Sequence, residues 1–283
     1  MKQKSDRQNG LSMVELLVAL AISSFLLLGI TQIYLDNKRN HIFRQSQAGN
    51  IENSRFAALL LDEYLGKAGY RRAAHQLHEE AFPETAQDDH CKAFAKGSAL
   101  TATHDSDGLC LRYQPLVSGE ADCLGNSSKP FDDSTPFTSA DRLIVLALKY
   151  IPGSADQLHQ GSLRCTSLNG TVITSAELLS GIADFRLEFG VGTPDLLEKG
   201  LNNGSNRFVT VSSWAESTHG PIRAVRYSLL LSSQQRQREG DSTILDNWLA
   251  SASDTAKARL NAGDQNRLYQ VAHSTQPLRN LMP

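Results

Sequence analysis

Apolar residues crowd into one stretch of this chain and are spaced out elsewhere. From Leu11 to Leu35 nearly every residue is apolar and Glu15 is the only charge. That run exceeds the roughly 20 residues a helix needs to cross a hydrocarbon core of about 30 Å. Beyond Leu35 the chain turns polar but keeps helical spacing: Phe56, Leu59, Leu60 and Tyr64 fall at i, i+3, i+4 and i+8, an apolar stripe on a 3.6-residue period. No proline precedes Pro83, and isolated glycines such as Gly29 and Gly49 are tolerated within a helix. The pattern predicts one helix from Leu11 to about Leu65, about 80 Å long, its first half in lipid and its second half packed on a domain. Gly66 and Gly69 are its natural stop.

After Tyr70 the pattern shortens to β-type runs at residues 108–113, 142–148, 182–189 and 222–231. In the third, Phe185, Leu187 and Phe189 alternate with Asp184, Arg186 and Glu188, the period of two that a half-buried strand requires. The long helix is expected to pack on this sheet. Turn-rich loops are predicted at 125–130 and 200–206 and a polar stretch at 234–240. Residues 242–260 carry only Leu245, Trp248, Leu249 and Leu260 among small polar residues, a short surface helix or a mobile loop. The fold class is α+β: a long N-terminal helix on an antiparallel sheet domain.

Charge orients the apolar segment. Lys2, Lys4 and Arg7 against Asp6 leave the N-terminus cytoplasmic by the positive-inside rule and send the rest of the chain across the membrane. A secretory signal has a shorter apolar region followed by a small-residue cleavage site, whereas here the small residue, Gly10, precedes the run. Glu15 is the anomaly, because a carboxylate in a spanning helix is costly and asks for a partner.

Gly10 immediately before the run, with Glu15 as its fifth residue, resembles the type IV prepilin family. The resemblance implies that a prepilin peptidase cuts after Gly10 and that the new N-terminus, Leu11, is methylated. Leu11 departs from the phenylalanine usual there but is also apolar. Glu15 would then be an assembly residue, pairing with the terminal ammonium of a neighbouring helix and setting axial register, since each charge offsets the other in a low-dielectric bundle. The expected organisation is a leader at 1–10, a transmembrane or filament-core helix at 11–35, its continuation at 36–69 and a periplasmic β-rich domain at 70–283.

Further residues narrow the resemblance to the PilW branch of minor pilins: Glu52-Asn53, Arg55-Phe56-Ala57 and Ala68-Gly69-Tyr70-Arg71. Later pieces at 162–165, 179–182, 224–226 and 278–280 are similar to the same branch. The likeness is strongest over the first seventy residues and patchier in the loops.

The four cysteines, Cys91, Cys110, Cys123 and Cys165, all lie in the part expected outside the cytoplasm, where disulfides persist. Two disulfides are expected, with three connectivities open; closing the shorter loops would pair Cys91 with Cys110 and Cys123 with Cys165. His75, His78, Asp88, Asp89, His90 and Cys91 include zinc-type ligands, but their spacing is irregular and no paired CxxC is present. The stretch His104-Asp105-Ser106-Asp107-Gly108 starts like a calcium loop and lacks its terminal Glu, so a solvated turn explains it better. No metal and no cofactor are expected. There is no GxSxG, HExxH, Walker A or dinucleotide glycine pattern, so no catalytic residue is assigned. A formal charge of −2 without a basic stripe argues against nucleic-acid binding.

The residues and the resemblance together imply a minor pilin that is not an enzyme, helps prime type IV pilus assembly and enters the filament at or near its tip. Implied partners are other minor pilins, the major pilin, the prepilin peptidase, the inner-membrane assembly platform and a large tip adhesin. Two alternatives are a minor pseudopilin of type II secretion, which would share the cleavage site and helix, and a tip-exposed adhesion module that binds ligand through its loops.

Overall fold

A computed structural model describes residues 12–169, 173–193, 201–202 and 207–281. Helix α1 runs unbroken over Met13–Lys67, and the chain divides into two compact units, 1–46 and 47–283. In the first unit the few polar side chains of the apolar run close their hydrogen bonds on their own helix. The hydroxyls of Ser23, Ser24 and Thr31 donate to the carbonyls of Ala19, Leu20 and Leu27, each at 2.7 Å. Such back-bonding leaves no hydroxyl unsatisfied in an apolar surrounding.

In the second unit α1 buries Asn50, Ala57, Leu61 and Leu65. The expected stripe is therefore rotated by about one residue. Leu60 and Tyr64 lie at its margin, whereas Phe56 is 48% and Leu59 72% exposed. Small Ala57 at the centre of the contact lets the helix approach the strands more closely than Phe56 would. The stop differs as well. Gly66 is still helical, and the reversal falls at Gly69, whose φ of +72° is the left-handed conformation that glycine adopts without strain. A Cβ there would lie 2.5 Å from the Leu281 side chain. Asn280 completes the end by donating to the carbonyls of Gly66 (2.8 Å) and Ala68 (3.1 Å), which have no partner within the helix.

Nine strands form two antiparallel sheets among the described residues. The first is a meander in the order β1-β2-β3-β4-β5: β1 is Leu100–Ala102, β2 Gly108–Tyr113, β3 Ile144–Ile151, β4 Ser162–Ser167 and β5 Thr174–Ser180. The second has the order β7-β6-β8-β9, with β6 Ile182–Val191, β7 Phe208–Thr210, β8 Ile222–Arg236 and β9 Arg267–Pro277. Strand β3 starts two residues later than the pattern at 142–148 suggests, after a 3-10 turn at Ala140–Arg142. Strand β8 runs on through Gln234, Gln235 and Arg236, so the expected polar loop at 234–240 is half strand. One core joins both sheets to α1: Leu61 and Leu65 belong to the same buried cluster as Leu109, Leu111, Tyr113, Phe189, Val225, Tyr227 and Leu229.

The β2 side chains facing away from α1 are also covered. Arg112 is 2% exposed and donates to the carbonyls of Ser98 (2.8 Å), Phe82 (3.3 Å) and Ala95 (3.3 Å) and to Thr85 Oγ1 (2.9 Å), with the Phe94 ring 4.5 Å from its guanidinium carbon. Burial lowers its pKa to about 10. Arg112 thus ties the coverlet of residues 82–98 to the sheet. That segment follows the short helix α2, His78–Ala81.

Residues 242–260 are neither loose nor confined to the surface. Helices α4 (Thr243–Ala250) and α5 (Asp254–Gly263), which follow the short α3 (Glu216–His219), bury Leu245, Trp248 and Leu260 against Leu158, Ala183 and Leu230. Ser242 and Ser253 cap them through their side chains. A polar network on β6 secures the contact. Asp184 accepts from Trp248 Nε1 and Arg259 Nη2, both at 2.8 Å, and Arg186 stacks 3.8 Å from the Trp248 ring. Burial, partly offset by these partners, raises the Asp184 pKa. The strand that reads as half-buried is therefore covered on both faces along part of its length.

Candidate assembly surface

The apolar part of α1 is exposed from Ser12 to Leu35 among the described residues. Leu17 is 63%, Phe25 82% and Leu28 70% exposed, and none of the most apolar window is buried. It is the one helix among the described residues long and apolar enough to span a bilayer. A continuous apolar surface of this size on a folded chain calls for lipid or protein to cover it.

Glu15 stands at the start of that helix with a local role the sequence reading passed over. The Ser12 backbone N–H donates to Glu15 Oε2 at 3.1 Å, while the Val14 N–H donates to Ser12 Oγ at 3.3 Å. Together they form a capping box, in which the serine and the glutamate three residues on satisfy amides that the first turn leaves free. The signal was present as Ser-x-x-Glu before an apolar run. The carboxylate is also favoured by the positive end of the helix dipole. Gly10 and Leu11 lie outside the described residues.

Two further apolar sets are exposed on the second unit. On α1, Ile51 (42% exposed), Phe56 and Leu59 line the side turned away from the sheets, interleaved with exposed Glu52, Arg55 and Glu63. Around residues 70–77 and 114–138, Leu77, Leu116, Val117 and Phe137 are exposed. The loops carrying this second set are held from within. Gln114 Nε2 donates to Gln76 Oε1 (2.8 Å) and the Thr138 carbonyl (3.2 Å), and Arg72 stacks on Phe131 and donates to the Asp133 carbonyl (2.6 Å).

All four cysteines are paired, Cys91 with Cys110 and Cys123 with Cys165. The first joins the coverlet to β2 and the second the 114–138 loop to β4. Next to Cys123, Asp122 gathers the N–H groups of Leu124 (2.8 Å) and Asn126 (3.0 Å) and the hydroxyl of Ser167. Burial alone would raise its pKa, but these hydrogen bonds prevail and hold it below the ordinary aspartate value.

The candidate metal ligands disperse to separate tasks. His75 packs on Phe137, His78 Nε2 lies 3.0 Å from the Asn280 carbonyl oxygen, and Asp88 accepts from the N–H groups of His90 (2.8 Å) and Cys91 (2.6 Å). In the loop that starts like a calcium site, Lys149 Nζ lies 2.7 Å from Asp105 and 3.0 Å from Asp107. Among the described residues no group of three His, Cys, Asp or Glu side chains converges on a common point.

Comparison with known proteins bears on the same two regions. Residues 5–31 match the prokaryotic N-terminal methylation motif, and residues 150–280 match the family described as type IV pilus-assembly protein W, PilW. A type IV-like pilin from Thermus thermophilus is similar in structure, with 13% identity and a TM-score of 0.42 over 82% of this chain and 98% of that one. A search of curated proteins finds no match. The exposed apolar helix and the methylation motif define the class: a type IV pilin-like protein, a structural subunit and not an enzyme. Within that class the two matches support a PilW-type minor pilin, the PilW similarity lying over residues 150–280.

Proposed function

We propose that the chain is a minor pilin that primes type IV pilus assembly and is built into the filament at or near its tip. The observation that carries this reading is the uncovered apolar half of α1, continuous in one helix with a half that is packed into the domain. The basic leader keeps the N-terminus cytoplasmic and the domain periplasmic while the chain waits in the inner membrane. Prepilin peptidase cuts between Gly10 and Leu11, and Leu11 is methylated. In the filament the apolar segment leaves lipid for a bundle of like helices, where one Glu15 oxygen serves the capping box and the other faces the terminal ammonium of a neighbour, setting register.

Other minor pilins and the major pilin contact the helix, the inner-membrane platform drives insertion, and a large tip adhesin sits above. The disulfides and the caged Asp122 loop suit a domain exposed outside the cytoplasm. The test is a count of surface pili by electron microscopy in cells lacking the gene and in the complemented strain. Few pili, restored on complementation, are expected. Normal pili would contradict the priming role and favour a secretion pseudopilin or a dispensable adhesion module.

A further inference from the structure

Of the four sheet edges, β1 and β7 are three residues long, and β5 carries Glu177 and faces a register shift at Leu163/Arg164. Strand β9 is different. It has eleven residues, and from Tyr269 to Pro277 each pairs with a β8 residue in unbroken register, Tyr269 with Ser232 through Pro277 with Ala224. No strand lies on its other side among the described residues. From Leu268 to Gln276 it contains no Lys, Arg, Asp, Glu or Pro, so the usual devices that stop an edge from pairing are missing. Val271, His273 and Thr275 project as an exposed row. An uncharged edge of this length presents main-chain N–H and C=O groups ready to accept another strand.

The direction of β9 decides which strand. Along α1, Asn50 reaches the Leu268 carbonyl, Ser54 the Gln270 side chain, Asp62 the hydroxyl of Tyr227 (the partner of Ser274), and Gly66 the Asn280 side chain. Strand β9 thus runs parallel to the packed half of α1. Two copies joined edge to edge about a two-fold axis would set their α1 segments antiparallel, with the ends leading to residue 46 on opposite sides. Chains anchored from one membrane present those ends to the same side, which excludes symmetric self-pairing. We infer that the β9 edge receives an extended, uncharged segment from a different pilus subunit, whose small or β-branched side chains lie beside Val271, His273 and Thr275. This rests on the reading of the chain as a pilus subunit.

The test uses the full-length chain in piliated cells, with the photo-crosslinking residue benzoylphenylalanine in place of His273 or Thr275, and in place of exposed Ser217 as a control. Wild-type chain is first confirmed in the sheared pilus fraction. Its absence there would overturn the pilus reading and this inference with it. With the chain present, adducts from 273 and 275 should exceed the 217 control by about tenfold and map to a non-helical segment of another pilus subunit. Adducts at control level, to a second copy of this chain or to a helical segment would overturn the inference and leave the pilus reading standing. As a second measurement, the His273→Lys/Thr275→Lys double variant changes only exposed positions. It should keep its melting temperature and membrane level yet fall about tenfold in the pilus fraction, and unchanged recovery would count against the edge.

Discussion

Three residues carry obligations that single substitutions expose. Glu15 is both a helix cap and, in the proposed filament, a register charge, and the two roles separate by degree. Glu15→Ala should leave the chain in the membrane, because losing a cap costs about 1 kcal/mol against a long apolar segment, and should abolish recovery with sheared pili. Normal recovery would refute the register role. Arg112 is held by four acceptors in a site shut off from solvent. Arg112→Ala leaves those acceptors unsatisfied and a cavity between Phe82 and Phe94, a loss of about 3 kcal/mol or more in chemical denaturation. For Asp122 the folded pKa lies below the unfolded one, so its stabilisation is present above the ordinary aspartate range and drains away as pH falls through that range and below. Melting temperatures measured from neutral to acid pH should fall less steeply for Asp122→Asn than for the parent.

Among the elements, α1 was legible because an apolar run and an unbroken 3.6-residue period outweigh every local breaker. Its inward face was not, because the reading weighted the large residues Phe56 and Leu59, while close packing selects the smaller Ala57 beside Leu61 and Leu65. Strands β2, β6 and β8 showed themselves through Leu109, Phe185 and Leu229 and their apolar neighbours. Strand β9 did not, since a sequence such as Gln270-Val271-Ala272-His273-Ser274-Thr275 has little apolar contrast and owes its extended state to pairing with β8. The α4 and α5 helices hid for the same reason: their cores rest on Leu245, Trp248 and Leu260, and the Asp184 and Arg186 that hold them lie on a strand sixty residues earlier. The end of α1 depends on Asn280, far off in sequence. Asn280→Ala should lower stability by about 1 kcal/mol and speed amide exchange in the last turn of α1, whereas an unchanged exchange rate would show that the cap contributes nothing.

At the scale of the whole molecule, α1 buries Asn50, Ala57, Leu61 and Leu65 in the second unit, while its apolar residues in the first unit are exposed. The two disulfides close loops with sequence separations of 19 and 42 residues. Chain-entropy arguments give about 3 and about 4 kcal/mol for loops of this size, so reduction should lower the melting temperature of the domain substantially while leaving the apolar helix intact by circular dichroism. The methylation motif and the apolar run were readable at once, since both are local. The surfaces that would choose partners, Leu77 with Phe137 and the β9 edge, appear only when distant segments are brought together. The central claim is that this helix leaves the membrane to become part of a filament, and mass spectrometry of the chain recovered from sheared pili tests it most directly. The account predicts a polypeptide that begins at N-methylated Leu11. A chain that retains Met1 to Gly10, or one confined to the membrane fraction, would contradict it.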